Sequence, residues 1–260
     1  MNNINRTSKN LTSACNDTKR ITNARHRIRQ QLLRMGWAKH KCPYTANKKE
    51  EKMAEYQSPH IFNSFFWFEN SLKKINPTGE VYYALEMRCL TMSHLAWRCH
   101  LNNPNNRYPL DTLDAFEIAR GYMLNGLPWD YGTGKKGDRG IIKIIDWEHP
   151  ENNTFEFVEK WRGALNDGFG WDFILLVNAI PLCGIVIEDT LTAALDMAQY
   201  QLDNDFQFPV YCHALVISDG EKLLVGDPWM EMDEFAEVGT LKEALQPIDF
   251  LMNRIHTIPD

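Results

Sequence analysis

The chain has 260 residues, 44% of them apolar and 12% aromatic, with 28 Lys+Arg against 34 Asp+Glu and a formal net charge of -6. That length fits one large domain or two small ones, and that apolar content supports a real core, so a disordered chain is excluded. The longest apolar runs, Phe173 to Val177 and Leu182 to Ile187, fall far short of the ~20 residues a membrane-spanning helix needs. The polar start, Met1-Asn2-Asn3-Ile4-Asn5-Arg6, has no apolar stretch of a secretory signal behind it. A cytoplasmic protein without membrane partners is expected.

The average charge conceals a split. Residues 1 to 52 hold 13 Lys+Arg and only three acids (Asp17, Glu50, Glu51), a balance of +10, whereas the rest holds 15 against 31, a balance of -16. A basic arm on an acidic body points either to nucleic acid or another polyanion, or to an arm lying on its own acidic body. The six cysteines (Cys15, Cys42, Cys89, Cys99, Cys183, Cys212) show no CxxC pair and no metal-ligand spacing, which reads as free thiols in a reducing compartment.

Residues 1 to 20, rich in Asn, Thr, Ser and Lys, are expected to be poorly ordered. From Ile21 to Gly36, Arg25, Arg27, Arg29 and Arg34 alternate with Ile28, Leu32, Leu33 and Met35, a basic amphipathic helix with Gly36 as C-cap. The stretch 46–58 is linker-like, so the arm spans residues 1–52. A helical region follows over 53–110. It contains a helix from Ile61 to Ile75 with Phe62, Phe65, Phe66 and Phe68 on a broad face, the turn Asn76-Pro77-Thr78-Gly79, and a helix from Tyr82 to Leu101. The third segment, 111–260, opens with a helix over Thr112 to Leu124 and then changes period. Strands are expected over Ile141 to Trp147, Thr154 to Trp161, Asp172 to Val177 and Leu182 to Glu188, the last two forming a buried hairpin around Asn178-Ala179-Ile180-Pro181. A helix from Thr190 to Leu202, capped by Asp189 or Thr190, and a second hairpin, Val210 to Ile217 with Lys222 to Val225, complete an α/β sheet domain. Gly132-Thr133-Gly134-Lys135-Lys136 lacks the upstream glycine and the hydroxyl residue of a phosphate loop, so no ATP site is expected.

Metal-dependent phosphodiester cleavage needs acidic groups close together to hold Mg²⁺ and a cation to offset charge on the phosphate. Asp172 opens one strand of the central hairpin and Glu188 closes the other, so an antiparallel pairing brings both carboxylates to its open end. Acids at strand ends also mark nothing more than where strands leave the core.

The run Ile144-Ile145-Asp146-Trp147-Glu148-His149-Pro150-Glu151-Asn152-Asn153-Thr154-Phe155, then Asp172 through Asn178-Ala179-Ile180-Pro181-Leu182 and Val186-Ile187-Glu188, resembles the N-terminal nuclease domain of type I restriction enzyme R subunits. Ala198 with Gln199 or Gln201, and Val216-Ile217-Ser218-Asp219-Gly220 through Gly226, match later elements of that family, and Ala119 to Gly126 an earlier one. The likeness covers about residues 112 to 230. It implies a PD-(D/E)xK restriction-endonuclease-like fold, with Asp172 and Glu188 as metal ligands and Gln201 as a further site residue. It also implies Mg²⁺ as cofactor, and DNA and other restriction-system subunits as partners. Three departures stand out: Trp171 in place of Pro, Ala179 in place of the turn glycine, and Thr190 in place of the catalytic lysine. Loss of that positive charge costs ~3–4 kcal/mol of transition-state stabilisation, by analogy with an oxyanion donor. Lys143, Lys160 or Lys222 are the candidates to replace it.

From Glu188 to Asp260 there are 15 acids and three Lys+Arg, which is the wrong sign for duplex DNA. DNA contact then falls to Arg25, Arg27, Arg29 and Arg34 of the arm and to Lys135 and Lys136. Two other functions fit the residues: a catalytically inactive nuclease-fold module that binds DNA or protein in a restriction, defence or counter-defence system, and a papain-like cysteine hydrolase built from Cys89, His213 and Asp227.

Overall fold

The computed structural model describes residues 4–40, 71–76, 112–130, 139–162, 170–204, 208, 210–230 and 232–245. Most of the expected 53–110 helical region, Cys89, Lys135 and Lys136 lie outside the described residues.

Helix α1 spans Ile4–Arg34, so the segment expected to be poorly ordered is part of one long helix with the basic stretch. Its Ile21, Ala24, Ile28 and Leu32 are buried, a stripe at helical spacing that faces the core while the arginines flank it. The helix ends as expected at Gly36. With φ at +89°, Gly36 donates to the Leu33 carbonyl (3.2 Å) and Trp37 donates to Leu32 (3.0 Å), the paired bonds of a Schellman stop. Trp37 and Leu32 are both buried, the apolar contact that accompanies it. Burying Ile21, Ile28 and Leu32 contributes about 1.5–3 kcal/mol each, so α1 is a constituent of the domain and not an arm hung from it.

The two-residue strand β1 (Ala38–Lys39) follows. Residues 71–75 form the last turn of the expected aromatic helix, and Asn76 donates to the carbonyls of Leu72 and Lys143 (both 2.9 Å) while accepting from the Lys143 amide (2.9 Å). Helix α2 is Thr112–Asn125. Strands β2 (Leu127–Asp130) and β3 (Arg139–Ile142) make a separate antiparallel pair. The strand expected to reach Trp147 therefore stops at Ile142, because Ile144 to Trp147 bury all four side chains in an irregular loop around Asp146 instead of alternating across a sheet.

The main sheet is built from β4 (Phe155–Arg162), β5 (Gly170–Val177), β6 (Ile180–Ile187), β7 (Ala214–Ser218), β8 (Leu223–Gly226) and β9 (Ala236–Val238), in the order β1-β4-β5-β6-β7-β8-β9. The β1–β4 and β6–β7 pairs are parallel and the rest antiparallel. Helix α3 (Leu191–Asn204) makes the crossover that a parallel β6–β7 pair requires. The short helix α4 (Leu241–Ala244) follows β9, its first turn capped by Thr240. Strand alternation sends Ile185, Ile187 and Val216 into one core with Ile28 and Leu32 of α1, and Val186, Leu215 and Ile217 into a second core with Ala194 and Ala198 of α3. The sheet is thus a mixed α/β layer covered on both faces, as the sequence leads one to expect.

The β5–β6 hairpin turns on Asn178 and Ala179 alone, with φ of +51° and +69°, the positive pair that a tight hairpin turn demands. Proline cannot donate to a ladder, and beside Pro181 the register slips: Leu176 faces Pro181 while Leu175 faces Cys183, leaving Leu182 as the extra residue.

Candidate active site at the open end of the β5–β6 hairpin

The structure brings Asp172 and Glu188 to the same end of the hairpin. Asp172 accepts the Ile187 amide on Oδ2 (2.7 Å), which ties the start of β5 to the end of β6. Glu188, the next residue, donates its own amide to the Ser218 carbonyl of β7 (3.0 Å). Burial holds the Asp172 carboxyl above its ordinary range, against the opposing pull of Arg25, its hydrogen bonds and Lys160. Glu188 is raised too, by burial first and by the Asp172 charge second. Two carboxyls at one end of a hairpin, both held above their ordinary range, are the oxygen-bearing groups that a hard divalent cation takes as ligands. No group of three or more His, Cys, Asp or Glu suited to a metal occurs among the described residues.

The cations around this pair come from an unexpected direction. Arg25 of α1 donates Nε to Asp172 Oδ1 (2.5 Å) and Nη2 to the Ile187 carbonyl (3.2 Å). The same helix sends Arg20 to the Asp189 carbonyl (2.5 Å), Arg27 to the Gly220 carbonyl and Arg29 to Glu159, while Lys39 of β1 pairs with Glu159 (2.9 Å). Of the four arginines expected to meet nucleic acid, Arg25, Arg27 and Arg29 therefore contact the chain's own body, and Arg34 stands exposed in the last turn of α1. From Arg20 to Lys39 the basic segment packs on the chain's own acidic sheet.

Three lysines are candidates for the missing cation. Lys143 pairs with Asp146 (3.3 Å) and Glu148 (2.7 Å), and Lys222 with Glu237 (2.9 Å). Only Lys160 makes its charge felt at Asp172. It sits in β4 with φ at +55°, between the Glu159–Phe173 and Trp161–Trp171 pairs, in left-handed backbone that costs a side chain about 1–2 kcal/mol. Thr190 plays a structural part instead. Its Oγ1 accepts the Ala193 amide (3.1 Å), so it is the N-cap of α3. Gln201 is buried on α3 with Nε2 against Met197 Sδ (4.0 Å). About three helical turns separate it from Thr190, and no described hydrogen bond joins it to Asp172 or Glu188.

The remaining motif residues build the scaffold. Asn153 accepts the Asp146 amide (2.9 Å) and donates to the Asp146 and Pro150 carbonyls, and Asn152 donates to Asp146 Oδ2 (2.9 Å). The fully buried Asn178 donates to the Ile144 carbonyl (2.9 Å) and to Asn153 Oδ1 (2.7 Å) and accepts the Thr154 amide (2.9 Å). This network clips the loop before β4 onto the hairpin turn, and satisfying every member is what makes it tolerable inside a core. Trp171, the residue in place of Pro, packs on Phe208 with ring centroids 4.7 Å apart.

The cysteine-hydrolase arrangement finds little support. His213 Nδ1 lies 2.8 Å from the Tyr211 carbonyl, not against a carboxylate, and burial pulls its pKa down to about 4. Asp227 accepts the Trp229 amide on Oδ1 (2.8 Å). Cys183 and Cys212 are buried free thiols held well above their ordinary pKa by that burial, as structural cysteines are.

A two-faced α/β sheet with an acidic pair at the end of its central hairpin is the class of domain that these residues define. The model of the type I restriction enzyme R protein N terminus matches residues 21–229, and the chain belongs to that family. It is similar to a protein of Methanocaldococcus jannaschii described as the putative endonuclease subunit of a type I restriction enzyme, MjaVIIIP, with 34% identity over 68 residues. Those residues are 26% of this chain and 6% of that relative, so the chain spans a small part of the relative it matches. No helix among the described residues is long and apolar enough to cross a membrane.

Proposed function

We propose that the domain is a PD-(D/E)xK nuclease core acting on DNA within a restriction system, alongside other subunits of that system, with Asp172 and Glu188 as ligands for Mg²⁺. The observation that carries this reading is the placement of Asp172, which accepts the Ile187 amide, beside Glu188 at the hairpin's open end, on a chain of the R-subunit N-terminal family. Two carboxylates, with substrate phosphate and water completing the shell, suit Mg²⁺. The ion, when bound, supplies Lewis acidity and a more acidic water. The chain's own residues hold the Asp172 carboxylate through the Ile187 amide and fix the Glu188 backbone through its amide bond to the Ser218 carbonyl, and α1 keeps a positive charge on Asp172. Exposed Arg34 and the Lys135-Lys136 pair are further cations that would track a DNA backbone.

A second reading, an inactive nuclease-fold module that binds DNA or a partner protein, is favoured by one observation: Thr190 is committed to capping α3 and supplies no charge. Purified chain incubated with supercoiled plasmid and Mg²⁺ or Mn²⁺ separates them. The nuclease reading expects nicking or linearisation that both Asp172→Ala and Glu188→Ala abolish. Absence of cleavage, with salt-sensitive DNA binding retained in both variants, supports the binding module.

A further inference from the structure

The hairpin end offers two carboxylates and, at Thr190, no cation. Charge developing on a phosphate must nevertheless be met by a fixed donor if cleavage is to be fast. We propose that Arg25, carried by α1, is the phosphate-contacting cation of this site; the inference rests on the nuclease reading above.

Four observations support the assignment. Arg25 is anchored at two points, Nε on Asp172 Oδ1 and Nη2 on the Ile187 carbonyl, while Nη1 makes no hydrogen bond among the described residues. The side chain is 40% exposed although its partner carboxylate is buried, and the planar guanidinium fork suits phosphate oxygens. Asp172 uses Oδ1 for Arg25 and Oδ2 for the Ile187 amide. A carboxylate has about four lone-pair positions, so the arginine leaves room for a metal ligand bond. Finally, α1 is held by Ile21, Ala24, Ile28 and Leu32 in the sheet's core, so the helix that carries Arg25 is anchored beside the site. Lys160 is the rival cation, but its influence reaches Asp172 through charge alone, without a described hydrogen bond to either carboxylate.

The test compares the full chain with Arg25→Gln, Arg25→Lys, Thr190→Lys and the Arg25→Gln/Thr190→Lys double variant. It uses Mn²⁺-dependent plasmid cleavage and, separately, calorimetric Mn²⁺ affinity. Arg25→Gln is expected to cut cleavage on the order of 10²–10³-fold while Mn²⁺ affinity stays level or tightens, since a cation competing for Asp172 has gone. Arg25→Lys retains part of the rate, and the double variant regains it by placing a lysine at the start of α3. Cleavage at or above the wild-type rate in Arg25→Gln overturns the proposal, as does loss of Mn²⁺ binding together with cleavage, which would mark Arg25 as a structural prop. Cleavage lost in Lys160→Ala but kept in Arg25→Gln gives the role to Lys160 instead. If the wild type is inert and Thr190→Lys cleaves, the assignment of Arg25 falls while the nuclease fold reading stands. If neither cleaves, both fall.

Discussion

Asp172 and His213 are both buried ionisable groups whose neutral forms burial favours, and the fold gives them different partners. Asp172 has a guanidinium and an amide on its two oxygens. His213 has only a backbone carbonyl on Nδ1, with Nε2 buried and unsatisfied, next to the Phe116 ring at 4.8 Å. Burial therefore keeps the imidazole neutral, with its pKa lowered from 6.5 to about 4. The consequence for stability has a definite sign. Unfolding frees His213 to bind a proton, so its contribution is complete above pH 6.5 and is lost as pH falls through the interval to about 4, by roughly 3 kcal/mol in all. Urea unfolding at pH 7 and pH 4.5 should show a larger acid loss in the wild type than in His213→Gln, and equal losses would mean that the imidazole is accessible to protons in the fold. Among single residues, Asp172 and Glu188 were legible in the sequence because a tight antiparallel hairpin necessarily brings its two outer ends together. Arg25 was legible only as one of four arginines on a basic helix. Its place on Asp172 spans a separation of 147 residues, and no local spacing carries that information.

At the scale of elements, the departures from the family pattern become packing decisions. A Cβ on Gly184 of β6 would lie 2.6 Å from the Trp171 ring and 2.9 Å from Phe208, so the tryptophan in place of proline occupies the space that a side chain at 184 would need. Gly184→Ala should destabilise by about 1–3 kcal/mol through overpacking, and Trp171→Leu should suppress part of that loss. Thermal unfolding of the two single variants and the double variant measures the coupling, and simple additivity would refute the direct clash. Ala179 sits where the turn favours glycine. Its methyl is buried, a gain of about 0.8 kcal/mol that partly offsets about 1–2 kcal/mol of left-handed strain. Most of the elements were legible from periodicity: α1 from Ile21 onward, α2, the hairpin and α3. The expected strand through Trp147 was not, because a run such as Ile144-Ile145-Asp146-Trp147 reads as strand until the Asp146, Asn153 and Asn178 hydrogen bonds reveal a clipped loop.

For the molecule as a whole, the charge split acquires a structural meaning. The positive segment of residues 1–52 does not trail into solvent along its described length. Arg25, Arg29 and Lys39 pair with Asp172 and Glu159, Arg20 and Arg27 donate to the Asp189 and Gly220 carbonyls, and most of these contacts are partly exposed, so their value lies in positioning more than in stability. The net charge of -6 thus averages a basic helix and an acidic sheet that meet in ion pairs such as Arg25–Asp172 and Arg29–Glu159. At the open end of the hairpin the same helix brings the Arg25 guanidinium onto Asp172, beside the end of β6 where Glu188 follows.

The proposed chemistry requires that this end hold a divalent metal, and calorimetric titration of Mn²⁺ into the intact chain reads that property with or without cleavage. Binding of one ion per chain is expected, lost in Asp172→Asn and in Glu188→Gln. Affinity should also weaken as pH falls toward the carboxylate range, beginning above the ordinary values of 3.8 and 4.5 because both groups hold their protons to higher pH. Mn²⁺ binding that survives both substitutions, or a wild-type chain that binds no Mn²⁺ at neutral pH, would contradict a metal site at Asp172 and Glu188.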